Sequence, residues 1–242
     1  MEQRRDVEPG TPIVDKKYCV VVTKDGPYCV YGNPPLNQEI IVVNEKDEAW
    51  DYKKGRSFVM TEEPTHLCRC GHSKTKPYCD GTHLNIEWSP ELTASKQPLL
   101  DGAEIFDGPR YQLIDNPEFC VHARICMAEG TAWRAVKRSN LREKEEILKH
   151  EVFRCPSGRL KLLDKETGQF IEPDLQPSLA LIEDPQKACS GPLWVRGGIP
   201  IEDCSGNKYE VRNRVALCRC GKSKNKPFCD GVHMDIGFKD EL

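Results

Sequence analysis

Residues 67–83, LCRCGHSKTKPYCDGTH, return 150 positions later as residues 217–233, LCRCGKSKNKPFCDGVH, with thirteen of the seventeen positions identical. A hydrophobic core has no need of a repeated stretch this rich in cysteine and glycine, so the repetition points to something that the cysteines bind. The first copy offers Cys68, Cys70, Cys79 and His83, and the second offers Cys218, Cys220, Cys229 and His233. In an extended stretch, residues two apart project to one face, so Cys68 and Cys70 can share an ion. Residues four apart lie one turn along a helix, which pairs Cys79 with His83. Pro77 sets the direction into that turn, and Asp80 can accept from amides at its start. Gly71 and Gly81 admit close approach of the backbone. A Cys3His set can hold one zinc ion. The spacing argues against it, because zinc sites present C-x2-C knuckles, whereas a C-x-C pair set apart from a Cys and His pair suits two metal atoms with two protein ligands each.

The repeat extends upstream. GPYCVYGNPPL (26–36) aligns with GPLWVRGGIPI (191–201), and Trp88 and Phe238 each follow the motif histidine by five residues. The first copy carries about fifteen extra residues, expected as a longer loop around NEKDEAWDYKKGRS. Short β-branched runs such as YCVVV, EIIVV, KYEVRNRVAL and LWVRG, between Gly, Pro and Asn signals, predict small antiparallel sheets. The middle differs in kind: LREKEEILKHEVF reads as a helix, with Asn140 and Glu143 as a capping pair and Leu141, Leu148 and Val152 on one face. SKQPLLDG and IEPDLQPS read as connections. The expected fold class is α+β, with segments 1–98, 99–176 and 177–242: two small antiparallel β-rich modules forming a pseudo-symmetric pair, and an α+β insert between them.

Thirteen cysteines in a chain with no apolar leader in MEQRRDVEPG suggest reduced thiols that bind metal, in a cytoplasmic setting, rather than a disulfide scaffold. The terminal KDEL, Lys239–Leu242, reads as a polar tail without a signal peptide to precede it. A net charge of -3 and the lack of an apolar run of about 20 residues argue against nucleic acid and membrane as partners. Cys19, Cys29, Cys189 and Cys204 have no counterparts in the repeat, and with His66, His72 and His150 they carry no assigned role.

The insert holds a third constellation. CVHARIC supplies Cys120 and Cys126, and Cys155 follows 28 residues later with Pro156 behind it. The bacterial ferredoxin run is C-x2-C-x2-C with a later Cys-Pro, and here Ala123 takes the middle cysteine's place. Three thiolates suit a cluster lacking one iron; His122 as a fourth ligand would complete a four-iron one.

Both repeated segments resemble the CDGSH motif of mitoNEET-like iron-sulfur proteins. The first matches every defined position through Cys68, Cys70, Ser73, Pro77, Cys79, Asp80, Gly81, Thr82 and His83. The second departs at Val232, where a hydroxyl or alanine is usual. The resemblance implies a 2Fe-2S cluster in each copy, with Cys68 and Cys70 on one iron and Cys79 and His83 on the other. EFCVHARICMAEGTAWRAV with CPSGRL is similar to the divergent single-cluster ferredoxin domain joined to CDGSH modules in prokaryotes, which implies a 3Fe-4S cluster, or 4Fe-4S, on Cys120, Cys126 and Cys155. Arg69, Lys74 and Lys76, with Arg219, Lys224 and Lys226, are expected to ring the outer ligands.

No phosphate loop, nucleophile elbow or carboxylate pair suggests an enzyme. The leading expectation is a non-enzymatic electron carrier with three centres and a redox protein as partner, monomeric because its two copies pair internally. The alternatives are a cluster carrier or redox and pH sensor, since a neutral imidazole ligand is exposed to competition from acid, and a structural zinc protein.

Overall fold

The structure, a computed structural model, describes residues 7–12 and 17–242, so most of the charged N-terminal stretch lies outside it. The N-terminal copy contributes β1 (Cys19–Val22), β2 (Tyr28–Tyr31), β3 (Leu36–Val43), β4 (Ala49–Phe58) and β5 (Thr65–Leu67). The insert has β6 (Glu104–Asp107), β7 (Tyr111–Asp115), α1 (Ala132–Val136), α2 (Arg142–Phe153), β8 (Leu160–Asp164) and β9 (Phe170–Ile171). The C-terminal copy adds β10 (Ser178–Asp184), β11 (Cys189–Arg196), β12 (Ile201–Asp203), β13 (Arg214–Leu217) and α3 (Val232–Asp235). The chain is α+β, as its sequence pattern predicts.

The two copies do not merely abut. Each gives a strand to the other: β12 pairs parallel with β1, Val20 opposite Ile201, and β3 pairs parallel with β10, Leu179 opposite Leu36. One sheet therefore runs β12-β1-β2-β5 and the other β13-β11-β10-β3-β4. Within a copy the strands are antiparallel as expected, and the exchanged strands are the parallel exceptions. The exchange fuses the apolar faces into one core, in which Val20, Tyr28 and Leu67 of the first copy meet Leu181, Leu193 and Leu217 of the second. β1 alternates half-buried and buried residues, whereas β11, inside the five-stranded sheet, is buried along nearly its whole length. β11 also contains Pro192, which cannot donate to a ladder. The β10–β11 register shifts between Leu181 and Glu183 there, so that Gly191 and Pro192 face Ile182 as a bulge.

The extra residues of the N-terminal copy are a hairpin, not a loop. Strands β3 and β4 pair from Leu36–Phe58 to Val43–Ala49, turning at residues 44–48 around the Asn44 side chain, which accepts from the Lys46 and Glu48 amides.

The insert builds its own core, with Leu148 and Val152 of α2 packed on Leu113, Leu160 and Leu162 of the β6-β7-β8-β9 sheet. Helix α2 starts one residue later than expected: Leu141 is its N-cap with no side-chain cap bond, and Leu141 is 43% exposed instead of joining the buried face. Glu151 takes a buried place on α2 with neither carboxylate oxygen hydrogen-bonded. Burial, and then the neighbouring Glu129 and Glu48, push its pKa up to about 9. Arg214 of β13 ties the insert down, donating to the carbonyls of Val152, Cys155 and Leu160 and pairing with Glu172. No helix among the described residues is long and apolar enough to cross a membrane.

The two motif loops meet backbone to backbone. A Cβ on Gly221 would lie 2.3 Å from the Cys70 carbonyl oxygen, and one on Gly71 would lie 2.5 Å from that of Cys220. Tyr28 reinforces the contact, its hydroxyl donating to the Cys218 carbonyl at 2.7 Å.

Two outcomes follow from this packing. Gly221→Ala combines left-handed strain with that collision and should cost about 2–4 kcal/mol. Gly81→Ala, at a similar φ but with nothing within 4 Å of the added carbon, should cost only about 1–2 kcal/mol. Urea midpoints of the two variants compare the costs. Because the folded pKa of Glu151 is raised, its stability contribution is full below the ordinary carboxylate pKa and is lost as pH rises toward about 9. Glu151→Gln should flatten that loss and be the more stable protein at pH 8, read from denaturation midpoints between pH 5 and 9.

Candidate metal centres

Each motif loop is wired identically. The Cys68 amide donates to the Pro77 carbonyl at 2.8 Å, and the Cys79 amide to that of His66 at 2.9 Å; Cys218 to Pro227 and Cys229 to Ala216 repeat these bonds at 2.8 and 2.9 Å. The Ser73 hydroxyl donates to the Tyr78 carbonyl, as Ser223 does to Phe228. Asp80 accepts from the amides of Lys74 and Thr82, and Asp230 from those of Lys224 and Val232. The carboxylate thus clamps the loop's two ends, and its bonds, led by the Thr82 side chain, hold the Asp80 pKa well below the usual range. Val232 has no hydroxyl to add to the second clamp.

The ligand pairs form differently from the simple periodicities. Cys68 and Cys70 lie in the bend beyond β5, not in an extended strand. Cys79 and His83 are brought together by the left-handed turn at Gly81, φ 82°, before a 3-10 turn over Thr82–Asn85; Gly231, φ 87°, does the same before α3. The pairing itself stands. The Sγ atoms of Cys68 and Cys70 lie 3.7 Å apart, and Cys79 Sγ lies 3.4 Å from His83 Nδ1. In the second copy the separations are 3.8 and 3.3 Å.

These distances test whether a cluster fits. Two thiolates on one tetrahedral metal, with bonds of about 2.3 Å, stand about 3.8 Å apart, and a thiolate and an imidazole with a bond of about 2.1 Å stand about 3.5 Å apart. Both pairs in both copies meet these values, with Nδ1 as the metal-facing nitrogen. None of the thirteen cysteines is in a disulfide. Among the described residues, no three His, Cys, Asp or Glu side chains converge as a single ion requires. What the geometry offers in each copy is two ligand pairs, each spaced to share one metal atom.

Within each buried cysteine pair the shared hydrogen bond lowers one thiol and raises the other: Cys68 and Cys218 go down, helped by the amides of Ser73 and Gly71 and of Ser223 and Gly221, while Cys70 and Cys220 go up, so each pair by itself favours one thiolate. Burial raises Cys79 and Cys229, so those sulfurs need a metal to hold their charge. Burial, then Arg219 and His122, lowers His233 to about 4, leaving the neutral imidazole that a metal binds.

The basic residues expected to ring the ligands divide. Lys74 and Lys224 are exposed, whereas Lys226 is buried and donates to the Ser223 carbonyl. Arg69 and Arg219 are buried struts. Arg69 lies over the Trp88 ring and donates to the carbonyls of Gly26, Pro90, Thr23 and Lys24. Arg219 lies over Phe238 and pairs with Glu183 and Asp240. Trp88 and Phe238 recur after the motif because each carries this arginine.

In the insert, Cys120, Cys126 and Cys155 line one small cavity with His122 and Arg159. Left-handed His122 and Arg124 wrap the loop around it. Arg159, held by Asp115 at 3.0 Å, opposes the upward shift that burial imposes on Cys120 and Cys126, the latter raised to about 12. Sequence reading missed Arg159 and Tyr28, which no spacing rule marks. Cys29 and Cys189 are buried, Cys204 is exposed and Cys19 is half-buried. His150 stacks on Trp50 at 3.7 Å, and the His72 ring bonds the Cys70 carbonyl.

Comparison with family models matches residues 25–84 and 190–234 to the iron-binding zinc finger of CDGSH type, and residues 106–165 to the divergent 4Fe-4S mono-cluster domain. Searches of curated proteins and of solved structures returned no match. With two CDGSH segments flanking a single-cluster ferredoxin segment, the chain is an iron-sulfur protein that belongs to the CDGSH family in tandem form.

Proposed function

We propose that this chain is a non-enzymatic electron carrier with three iron-sulfur centres. Cys68 and Cys70 hold one iron, and Cys79 and His83 the other, of a 2Fe-2S cluster; Cys218, Cys220, Cys229 and His233 hold a second. The observation that carries the reading is the pair of separations, near 3.7 and 3.4 Å, repeated in both copies. Cys120, Cys126 and Cys155 hold the third cluster, of three irons, since the cavity supplies three thiolates. A four-iron cluster is the second reading, favoured by the description of the matched domain and by His122 in the cavity wall.

When bound, these clusters supply one-electron chemistry. The protein's part is to fix their ligands, donate amides to their sulfurs and set the local charge. The partner is another redox protein, and the internal pairing of the copies makes one chain sufficient.

Iron, zinc and acid-labile sulfide counts test the cofactor. Seven irons and eight sulfides per chain are expected, with a nearly isotropic paramagnetic signal from the oxidised three-iron centre; eight irons and an oxidised-state silence would support the four-iron reading. Stoichiometric zinc without sulfide would refute both. Mixing the loaded protein with an apo-ferredoxin should leave the recipient apo, and its conversion would make this chain a cluster carrier instead.

His83→Cys should lower the potential of the N-terminal cluster by on the order of 100–300 mV, because a thiolate adds the negative charge that the imidazole lacks. A redox titration that leaves this potential unchanged would remove His83 from the ligand set.

A further inference from the structure

The two copies share sequence and wiring, yet their surroundings differ. In the N-terminal copy Cys79 and His83 are half-exposed and line an open cavity of about 450 Å³ with Pro27, Val59, His66 and Tyr78. In the C-terminal copy Cys229 is 2% exposed and His233 4%. The difference comes from the insert. Val121 and Ala123 pack on Cys229. The His122 ring lies so close to Gly231 that an added Cβ would meet its Cδ2 at 2.6 Å, with the Cys120 carbonyl oxygen at 3.1 Å. Phe119 packs edge-on against Phe228 at 5.4 Å. At the matching place in the N-terminal copy, a Cβ on Gly81 would meet nothing within 4 Å.

We infer that residues 119–123, the loop carrying the first central cysteine, form a cap that closes the C-terminal site, leaving the N-terminal site as the chain's exchange face. The inference rests on the reading that both Cys3His sets hold 2Fe-2S clusters, and it adds that the two are inequivalent. The cap is also a contact between sites: Cys120 lines the insert's cavity, while its carbonyl oxygen and the His122 ring lie against Gly231, two residues from both Cys229 and His233. The C-terminal site is therefore the inner of the three, touching the insert through His122 and the N-terminal motif loop through Gly221. Small molecules reach an iron at Cys79 and His83 directly, whereas at Cys229 and His233 they must wait for the loop to lift.

The test uses the loaded protein and an excess of bathophenanthroline disulfonate with a mild reductant, following the visible absorption and the iron released. Cys79→Ser assigns the N-terminal phase by removing it, and Cys229→Ser assigns the C-terminal one. The N-terminal phase should be at least about tenfold faster. His122→Asn, which tolerates the left-handed backbone, and Val121→Ala should each speed the C-terminal phase severalfold. Retention of the N-terminal phase in these variants shows that the chain is folded. Equal rates at the two sites, or a slow phase that neither substitution changes, would overturn the cap. A loaded protein without 2Fe-2S absorption would overturn the cluster reading and the cap with it.

Discussion

A side chain at Gly71 or Gly221 has no space to occupy. Each glycine faces the carbonyl of the other copy's second motif cysteine at a distance that only a hydrogen can fill, and this fixes how near the two motif loops lie. Each loop's sulfurs are presented from the backbone that makes the contact, so the relation between the two candidate centres is set by main chain. The exchanged strands β3 and β12 and the Tyr28 hydroxyl hold that contact from behind.

Around this axis the copies diverge in charge. Arg69 donates to carbonyl oxygens, while Arg219 is matched by two carboxylates. Both guanidiniums are desolvated and fully engaged, the circumstance in which charge-assisted bonds are strong and positionally exact. The same arginine therefore braces both loops while leaving different fields at the two sites.

That these cysteines and histidines would come together in pairs was legible because a short motif encodes a short-range geometry. Cysteines at i and i+2 and a Cys and His at i and i+4 can meet in more than one backbone conformation, so their pairing survives even though bends and left-handed glycines replaced the strand and helix that spacing suggested. Strand composition likewise revealed sheets, but it could not show that β3 and β12 change partners, because pairing across more than a hundred residues leaves no mark in local sequence. Arg69 looked like a rim cation for a related reason: its side chain's direction depends on Trp88 and on carbonyls of the β1–β2 turn, which only the folded chain brings together. The fifteen additional residues read as a loop because their charged side chains hide a ladder that lies at a sheet edge, where one face is wet.

The reciprocal exchange of strands also sets a schedule for synthesis. When β1 and β3 leave the ribosome, their partners β12 and β10 have not been made, and the whole insert must follow before either arrives. At about 5–20 residues per second, the nascent N-terminal copy spends on the order of ten seconds with open strand edges.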